Sequence, residues 1–469
     1  MTNTPTIQSK HAPSSIADPG HSDQIRRLTC FDSLTGLPNR LLFREQLALV
    51  LRMAQRTGRP IAVMLADIDD FRRINHSLGH RAGDALIRTI AQRIAACLRA
   101  SDVVSGEALS DHSRAVARVG GNEFAIVLSG LGEPHDARLV AERLRTAVGA
   151  EVAIGDSPVF PSLSIGVALY PGDGDMPEAL IEHADIALGQ AKDLGKDRVQ
   201  FYNPAMIALA ADRLALESGL RRGVEEAQFF PVFQPRIDGR TGAVCGAEAL
   251  VRWRHPQRGV LAPGAFIAAA ERSRLIVPIG DFMLDAACRQ NLHWQKRGLP
   301  AMPVSVNVSA LQVSRPDFVS TLARTLERTG MAARWLELEV TESMLMDDAA
   351  GALRTLSAAK ALGVRIAIDD FGTGFSSFSY LRDFPFDVLK IDRSFVERLP
   401  AEQRTAGVTC AIIDLTRRLG LEVVAEGVET QAQSEFLQAN GCPLMQGFMY
   451  CRPVEAAALE PYWRKSLGQ

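Results

Sequence analysis

The chain has 469 residues, of which 47% are hydrophobic and 23% charged, with a formal net charge of −2. This is too long for one ordinary core and too apolar for a disordered protein, so two or three soluble domains are expected. The near balance of charge gives no electrostatic argument for a nucleic-acid partner or a membrane surface.

Residues 1–27 are polar and rich in Pro, Ser and Thr, and read as a disordered tail without the apolar core of a signal peptide. No later stretch approaches the roughly 20 apolar residues that span a bilayer. Seven cysteines, an odd number without a Cys-x-x-Cys pair, argue against a zinc or disulfide framework. A cytoplasmic location is expected.

Residues 28–203 mix helices and strands. RLLFREQLALVLRMAQRTG has helical spacing, IAVMLADID is an apolar run ending in acids, and GDALIRTIAQRIAACLRA is a second helix. RVGGNEFAIVLSG predicts a hairpin whose Gly-Gly tip carries Asn122 and Glu123. A helix, the strand SLSIGVALY and a further helix follow. Strands joined partly by hairpins and partly by helices predict an α+β domain with a mostly antiparallel sheet. Residues 204–227 predict a helical joint.

From 228 to 469 the rhythm changes. Eight apolar runs, FFPVFQP, VCGAEALVRW, PVSVNVS, LELEVTES, RIAIDDFG, VLKIDRS, LEVVAEGVE and LMQGFMY, are mostly separated by helical stretches. This is the pattern of an α/β fold, a (β/α)8 barrel whose site gathers at the C-terminal strand ends. The first connection, DGRTGA, is too short for a parallel crossover, so the first two strands should be antiparallel and the barrel irregular there. The strand ends carry Gln234, Glu248, Asn307, Glu339, Asp369 with Asp370, Lys390, Glu426 and Gln446. A single acid there is usually a cap or a solvated rim residue. Five converging carboxylates would raise one another's pKa values unless cations compensate, and an oxygen-rich set suits Mg²⁺ or Mn²⁺. Adjacent Asp369 and Asp370 suit two ions that activate water for phosphoryl displacement. Lys390 could orient that water or receive its proton.

Glu248-Ala249-Leu250, Asn307-Val308-Ser309, Glu339-Val340-Thr341-Glu342, Asp369-Asp370-Phe371-Gly372-Thr373-Gly374, Lys390-Ile391-Asp392 and Glu426-Gly427-Val428-Glu429 resemble the ordered motifs of EAL-domain cyclic-di-GMP phosphodiesterases. The resemblance implies hydrolysis of cyclic di-GMP to linear pGpG. It implies that Glu248, Asn307, Glu339 and Asp369 hold one metal, and that Asp369 and Asp370 hold the other. Lys390, Glu426 and Gln446 would complete the water-activating shell, Gln234 and Arg252 would meet substrate, and Glu342 would anchor the DDFGTGFSS loop. A homodimer through this domain is implied as well. A receptor that binds cyclic di-GMP without turnover is the alternative, and it predicts lost ligands, which this half does not show.

In the first half, DSLTGLPNR, ADIDDFRRIN, GHRAGD, RVGGNEF and AKDLGKDR resemble the GGDEF diguanylate cyclases. The resemblance implies a GTP site in which Asp67 and Glu123 face a metal, Asn75 and Asp84 read guanine, and Lys192 and Lys196 meet phosphates. The hairpin's third residue should be acidic, but it is Asn122. Losing one unit interaction at about 4 Å is on the order of 4 kcal/mol at an effective dielectric of ~20, before solvent discounts. Arg72 and His76 also depart from the pattern, and the Arg-x-x-Asp product-inhibition motif gives way to SGEALSDHSRA. A degenerate domain that binds GTP as a regulator or supports dimerisation, without cyclising it, is therefore expected. The alternative is a bifunctional cyclase and phosphodiesterase.

Overall fold

The computed structural model describes residues 29–100, 114–155, 157–372 and 382–468. The expected tail, most of the SGEALSDHSRA segment and most of the DDFGTGFSS loop lie outside them. The chain divides into two compact units at Asp212 and Arg213, within a helix from Ala205 to Glu225.

The first unit is built on β1 (Ile61–Ile68), β2 (Arg114–Gly120), β3 (Glu123–Leu128), a small ribbon of β4 (Val152–Ile154) and β5 (Ser157–Val159), then β6 (Leu163–Tyr170) and β7 (Val199–Phe201). The main sheet has the order β2-β3-β1-β6-β7, and only the β6–β7 pair is parallel. Its central strands are apolar at nearly every position because both faces are covered. On one face Met64, Phe124, Ile126 and Ile165 pack on Leu86, Ile90 and Leu144. On the other, Val63, Ala125 and Val127 meet Phe43, Leu47 and Ala184. The helix Arg40–Thr57 supplying Phe43 and Leu47 starts at Asn39, whose side chain accepts from Leu41 and Leu42 N–H, and stops at Gly58 with φ 66°.

The second unit is a closed barrel of β8 (Phe229–Asp238), β9 (Ala243–His255), β11 (Val304–Asn307), β12 (Leu336–Thr341), β13 (Arg365–Phe371), β14 (Val388–Ile391), β15 (Glu422–Ala425) and β16 (Leu444–Met445). A short β10 (Gly259–Leu261), which the patterning does not predict, extends β9 as an outer hairpin. The expected antiparallel first pair is present, and β8 is antiparallel to β16 too, so one reversed strand closes an otherwise parallel barrel.

Strand residues alternate between faces, and every second residue here points into the barrel in layers. Ala367, Val388 and Val424 form a small apolar layer with Leu444. The polar mouth residues lie above it, and Arg236, Glu337, Arg365 and Glu422 lie below. Gln234 and Glu248 are not at strand ends as expected: they pair with each other part-way along the antiparallel β8 and the long β9. The outer faces of the strands carry the larger core, including Val306, Leu338, Ile366, Ile368 and Leu389 packed under the surrounding helices. Fully burying one such side chain contributes about 1.5–3 kcal/mol.

Candidate active site

The barrel mouth brings together Gln234, Glu248, Asn307, Glu339, Asp369, Lys390, Glu426 and Gln446. Glu248 is at its centre: its Oε1 accepts from Asn307 Nδ2 at 2.7 Å and its Oε2 from Gln446 Nε2 at 2.6 Å. Gln446 Nε2 also donates to Gln234 Oε1 at 3.1 Å, and Gln234 Nε2 donates to the Cys451 carbonyl. Lys390, 1% exposed, places its ammonium 2.7 Å from Glu339, 3.2 Å from Asp369, 2.6 Å from Glu426 and 3.7 Å from Glu248.

Successive strand residues should point to opposite faces, yet Asp369 and Asp370 converge. The register between β13 and β14 shifts between Ile368 and Phe371, and Asp370 sits at φ 53°, a left-handed conformation unusual for a non-glycine residue. The Asp370 N–H donates to Asp369 Oδ1 at 3.0 Å. As a result, carboxylate oxygens of Asp369, Asp370 and Glu426 lie within 4.8 Å of one another. A bulge with strained backbone at this point is the kind of feature that sites retain.

Burial sets the electrostatics. It pushes the Glu426 carboxyl up to about 8, with Asp369 and Glu248 adding to the effect against the pull of Lys390. Burial and neighbouring carboxylates also raise Glu339 and Asp370. Glu248 is desolvated as well, but Lys390, Gln446 and Asn307 outweigh this and hold its pKa below the usual value. Burial works against the Lys390 charge, and four carboxylates overcome it, so its pKa lies well above the ordinary lysine value. The same four carboxylates fix the ammonium at the centre of the mouth.

The donor set is all oxygen and faces a single ammonium. Glu339 Oε1 is buried and has no hydrogen-bond partner among the described residues. These residues fit hard divalent cations. Arg252 lies half-buried on β9, its Nη1 donating to the Val251 carbonyl at 2.8 Å. Glu342 stands apart, its Oε2 accepting from Gly372 N–H at 3.2 Å, where the chain leaves β13. A cavity of about 450 Å³ flanks the mouth, walled by Val251, Ile267, Ile279 and Met283 and edged by Asn307 and Glu271.

In the first unit, Asp67 and Glu123 are direct cross-strand partners. Burial raises both, and Asp67 adds to the rise of Glu123. Lys192 Nζ is 2.9 Å from Asp67, whereas Lys196 reaches Asp70 at 2.6 Å. Asp69 is structural: it accepts from Ser162 and Ser164 hydroxyls and from Asp197 N–H. Asn75 Oδ1 is buried, with no hydrogen-bond partner among the described residues, above Gly83, where a Cβ would come within 1.9 Å of it; Asp84 lies nearby and exposed on the next helix. Asn122 turns its amide nitrogen to the Ile68 carbonyl at 2.7 Å.

Residues that sequence reasoning missed are Arg236 and Glu337 below the mouth. The available signal was their spacing of two from Gln234 and Glu339.

This two-unit architecture with an acid-lined barrel mouth is of the GGDEF and EAL type. Residues 217–453 match the EAL domain model, and residues 29–198 match that of the diguanylate cyclase, GGDEF domain. The chain belongs to the tandem GGDEF–EAL family. Cyclic di-GMP phosphodiesterase NbdA of Pseudomonas aeruginosa is 40% identical over 440 residues, covering 94% of this chain and 54% of NbdA. The bifunctional diguanylate cyclase/cyclic di-GMP phosphodiesterase MucR of the same organism is 41% identical over 436 residues, covering 93% of this chain and 62% of MucR. The chain thus spans little more than half the length of these curated relatives. The solved structure of the PaMucR phosphodiesterase in complex with c-di-GMP is 44% identical with a TM-score of 0.51, covering 52% of this chain and 99% of that one. Among the described residues, no helix is long and apolar enough to cross a membrane.

Proposed function

We propose that this chain hydrolyses one phosphodiester of cyclic di-GMP to linear pGpG at the barrel mouth. The observation that carries the reading is the convergence of Glu248, Asn307, Glu339, Asp369, Asp370 and Glu426 about the Lys390 ammonium at the barrel mouth. The domain limits follow the sequence reading: a cyclase-like domain at 28–203, a helical joint at 204–227 and the phosphodiesterase domain at 228–469, acting in the cytoplasm as a homodimer.

Glu248, Asn307, Glu339 and Asp369 would hold one Mg²⁺ or Mn²⁺, and Asp369 and Asp370 a second. Such ions, when bound, acidify a water and stabilise the oxygens of an in-line displacement. Lys390, kept charged, fixes the Glu339 and Glu426 carboxylates and presents positive charge where the phosphate gains negative charge. Glu426, 2.6 Å from the Lys390 ammonium, would complete the water-activating shell with Lys390 and Gln446. Gln446 and Asn307 orient Glu248 through the two bonds given above. Gln234 and Arg252 face substrate, the guanidinium suited to a phosphate. The apolar cavity beside Asn307 offers a purine base an uncharged wall.

The first domain is a GTP-binding regulatory or dimerisation module that does not cyclise. Asp67, Asn75, Asp84 and Glu123 remain for nucleotide, but Asn122 has lost the charge and spends its amide on a carbonyl. The likeness to MucR, whose name carries both activities, favours a bifunctional enzyme as second reading.

The test incubates the purified chain separately with cyclic di-GMP and with GTP, under Mg²⁺ or Mn²⁺, and chromatographs the products. Formation of pGpG, and no cyclic di-GMP from GTP, is expected. Binding of cyclic di-GMP without pGpG under either metal would leave the receptor reading; product from GTP would establish the bifunctional one.

A further inference from the structure

Beneath the mouth lies a second charged layer that the proposed reaction does not use. Arg236 on β8 and Glu337 on β12 are sealed in the barrel at 2% and 0% exposure. Arg236 Nη2 is 2.7 Å from Glu337 Oε1 and 3.8 Å from Glu339 Oε1, while its Nη1 is 3.8 Å from Glu422. Glu337 Oε2 is 3.3 Å from Arg365 Nε, and Arg365 Nη2 reaches Glu422 at 3.0 Å.

One guanidinium nitrogen therefore has two carboxylates on the same strand within reach, and it is bonded to only one of them. The carboxylate passed over, Glu339, accepts from Lys390 Nζ at Oε2 at 2.7 Å, while its buried Oε1 has no hydrogen-bond partner among the described residues. Charge-assisted bonds from a guanidinium to a buried carboxylate are strong, so a guanidinium freed from Glu337 would turn to Glu339. We propose that Glu337 is a positioning residue: by holding Arg236 it keeps that guanidinium off Glu339 Oε1 and leaves this oxygen for a divalent cation. The inference rests on the proposed metal site.

The test titrates Mn²⁺ into the metal-stripped full chain by calorimetry, alongside melting of the metal-free proteins. Glu337→Gln is expected to bind Mn²⁺ about tenfold more weakly. Arg236→Met alone should bind no more weakly than the unmodified chain. The double variant should return to within about threefold of the unmodified chain, because the competitor is gone. If Glu337→Gln does not fold, Glu337→Asp, which withdraws the carboxylate by one carbon, replaces it with the same expected direction. Unchanged Mn²⁺ affinity in the single variant overturns the inference, and so does a double variant as weak as the single one, which would mark general packing damage. An unmodified chain that binds no Mn²⁺ would overturn the metal site itself and this inference with it.

Discussion

Asn122 and Ile68 are joined by a reciprocal pair of bonds: Ile68 N–H donates to the Asn122 carbonyl at 3.2 Å, and Asn122 Nδ2 donates to the Ile68 carbonyl at 2.7 Å. The side-chain amide thus ties the hairpin tip to the end of β1, beside the Asp67–Glu123 pair. Asn122→Asp replaces a donor by a charged acceptor facing a carbonyl oxygen. The metal-free variant is expected to lose about 1–3 kcal/mol of first-domain stability. Mg²⁺ should restore it, because a cation satisfies both oxygens. Calorimetric melting in chelator and in Mg²⁺ checks this; equal melting of the two proteins in chelator would show that the amide bond contributes nothing.

Lys390 is the cation that holds the mouth together, with bonds of 2.7 Å to Glu339 and 2.6 Å to Glu426. Lys390→Met keeps the volume and removes the charge, leaving buried carboxylates uncompensated. Metal-free stability should fall by about 3–5 kcal/mol, and pGpG formation should drop at least about a hundredfold. Mn²⁺ should raise the melting temperature of the variant more than that of the unmodified chain. The reverse order in the metal effect would mean that the carboxylates do not meet the metal as a group.

Much of this site was legible because, in most of the parallel barrel strands, an apolar run changes character as it reaches the mouth. That pattern located Asn307, Glu339, Lys390 and Glu426, whereas Glu248 lies mid-way along the long β9 and Gln234 on the reversed β8. The bulge was not legible: two adjacent aspartates in a strand normally point apart, and nothing in the letters Asp369-Asp370 announces a left-handed backbone without glycine. Arg236 and Glu337 were hidden for another reason. A charged residue inside a strand reads as a solvated face unless its neighbours two positions on are already known to be buried. In the first domain the hairpin and its cross-strand partner were plain, but which atom of Asn122 faces the sheet depends on tertiary contacts. The same holds for Lys192, which lies on Asp67.

The mouth should respond to pH in a defined direction. Glu426 titrates near 8 in the metal-free fold, against about 4.3 for an unperturbed glutamate. A carboxyl raised in the folded state contributes stability that is fully present below the unfolded value and is lost as pH rises through the folded one. Metal-free second-domain stability should therefore decline between about pH 4.5 and 8. Over the same window Mn²⁺ affinity should climb, because a cation at this cluster must displace the Glu426 proton. Titration calorimetry at pH 6, 7 and 8 in buffers of different ionisation heat reads both the affinity and the released proton. Affinity flat across that range, with no proton released, would remove Glu426 from the metal-linked group.

The exit from β13 should matter to turnover although it touches no reacting atom. Gly372 has φ 95°, and a Cβ there would lie 2.8 Å from the Phe395 ring; its N–H is held by Glu342 at 3.2 Å. Together they fix the chain two residues beyond the strained Asp370, so a shift here moves that carboxylate. Gly372→Ala meets both a left-handed penalty of about 1–2 kcal/mol and the ring contact, and the cheapest relief is movement of the bulge. We expect kcat to fall more than about tenfold with KM for cyclic di-GMP within about threefold, since a misplaced carboxylate affects the reacting geometry more than substrate capture. Glu342→Gln retains an acceptor oxygen for the Gly372 N–H and should cost turnover far less than Glu342→Ala. Equal effects of the glutamine and alanine variants would show that the charge of Glu342, and not its hold on Gly372, is what the site requires.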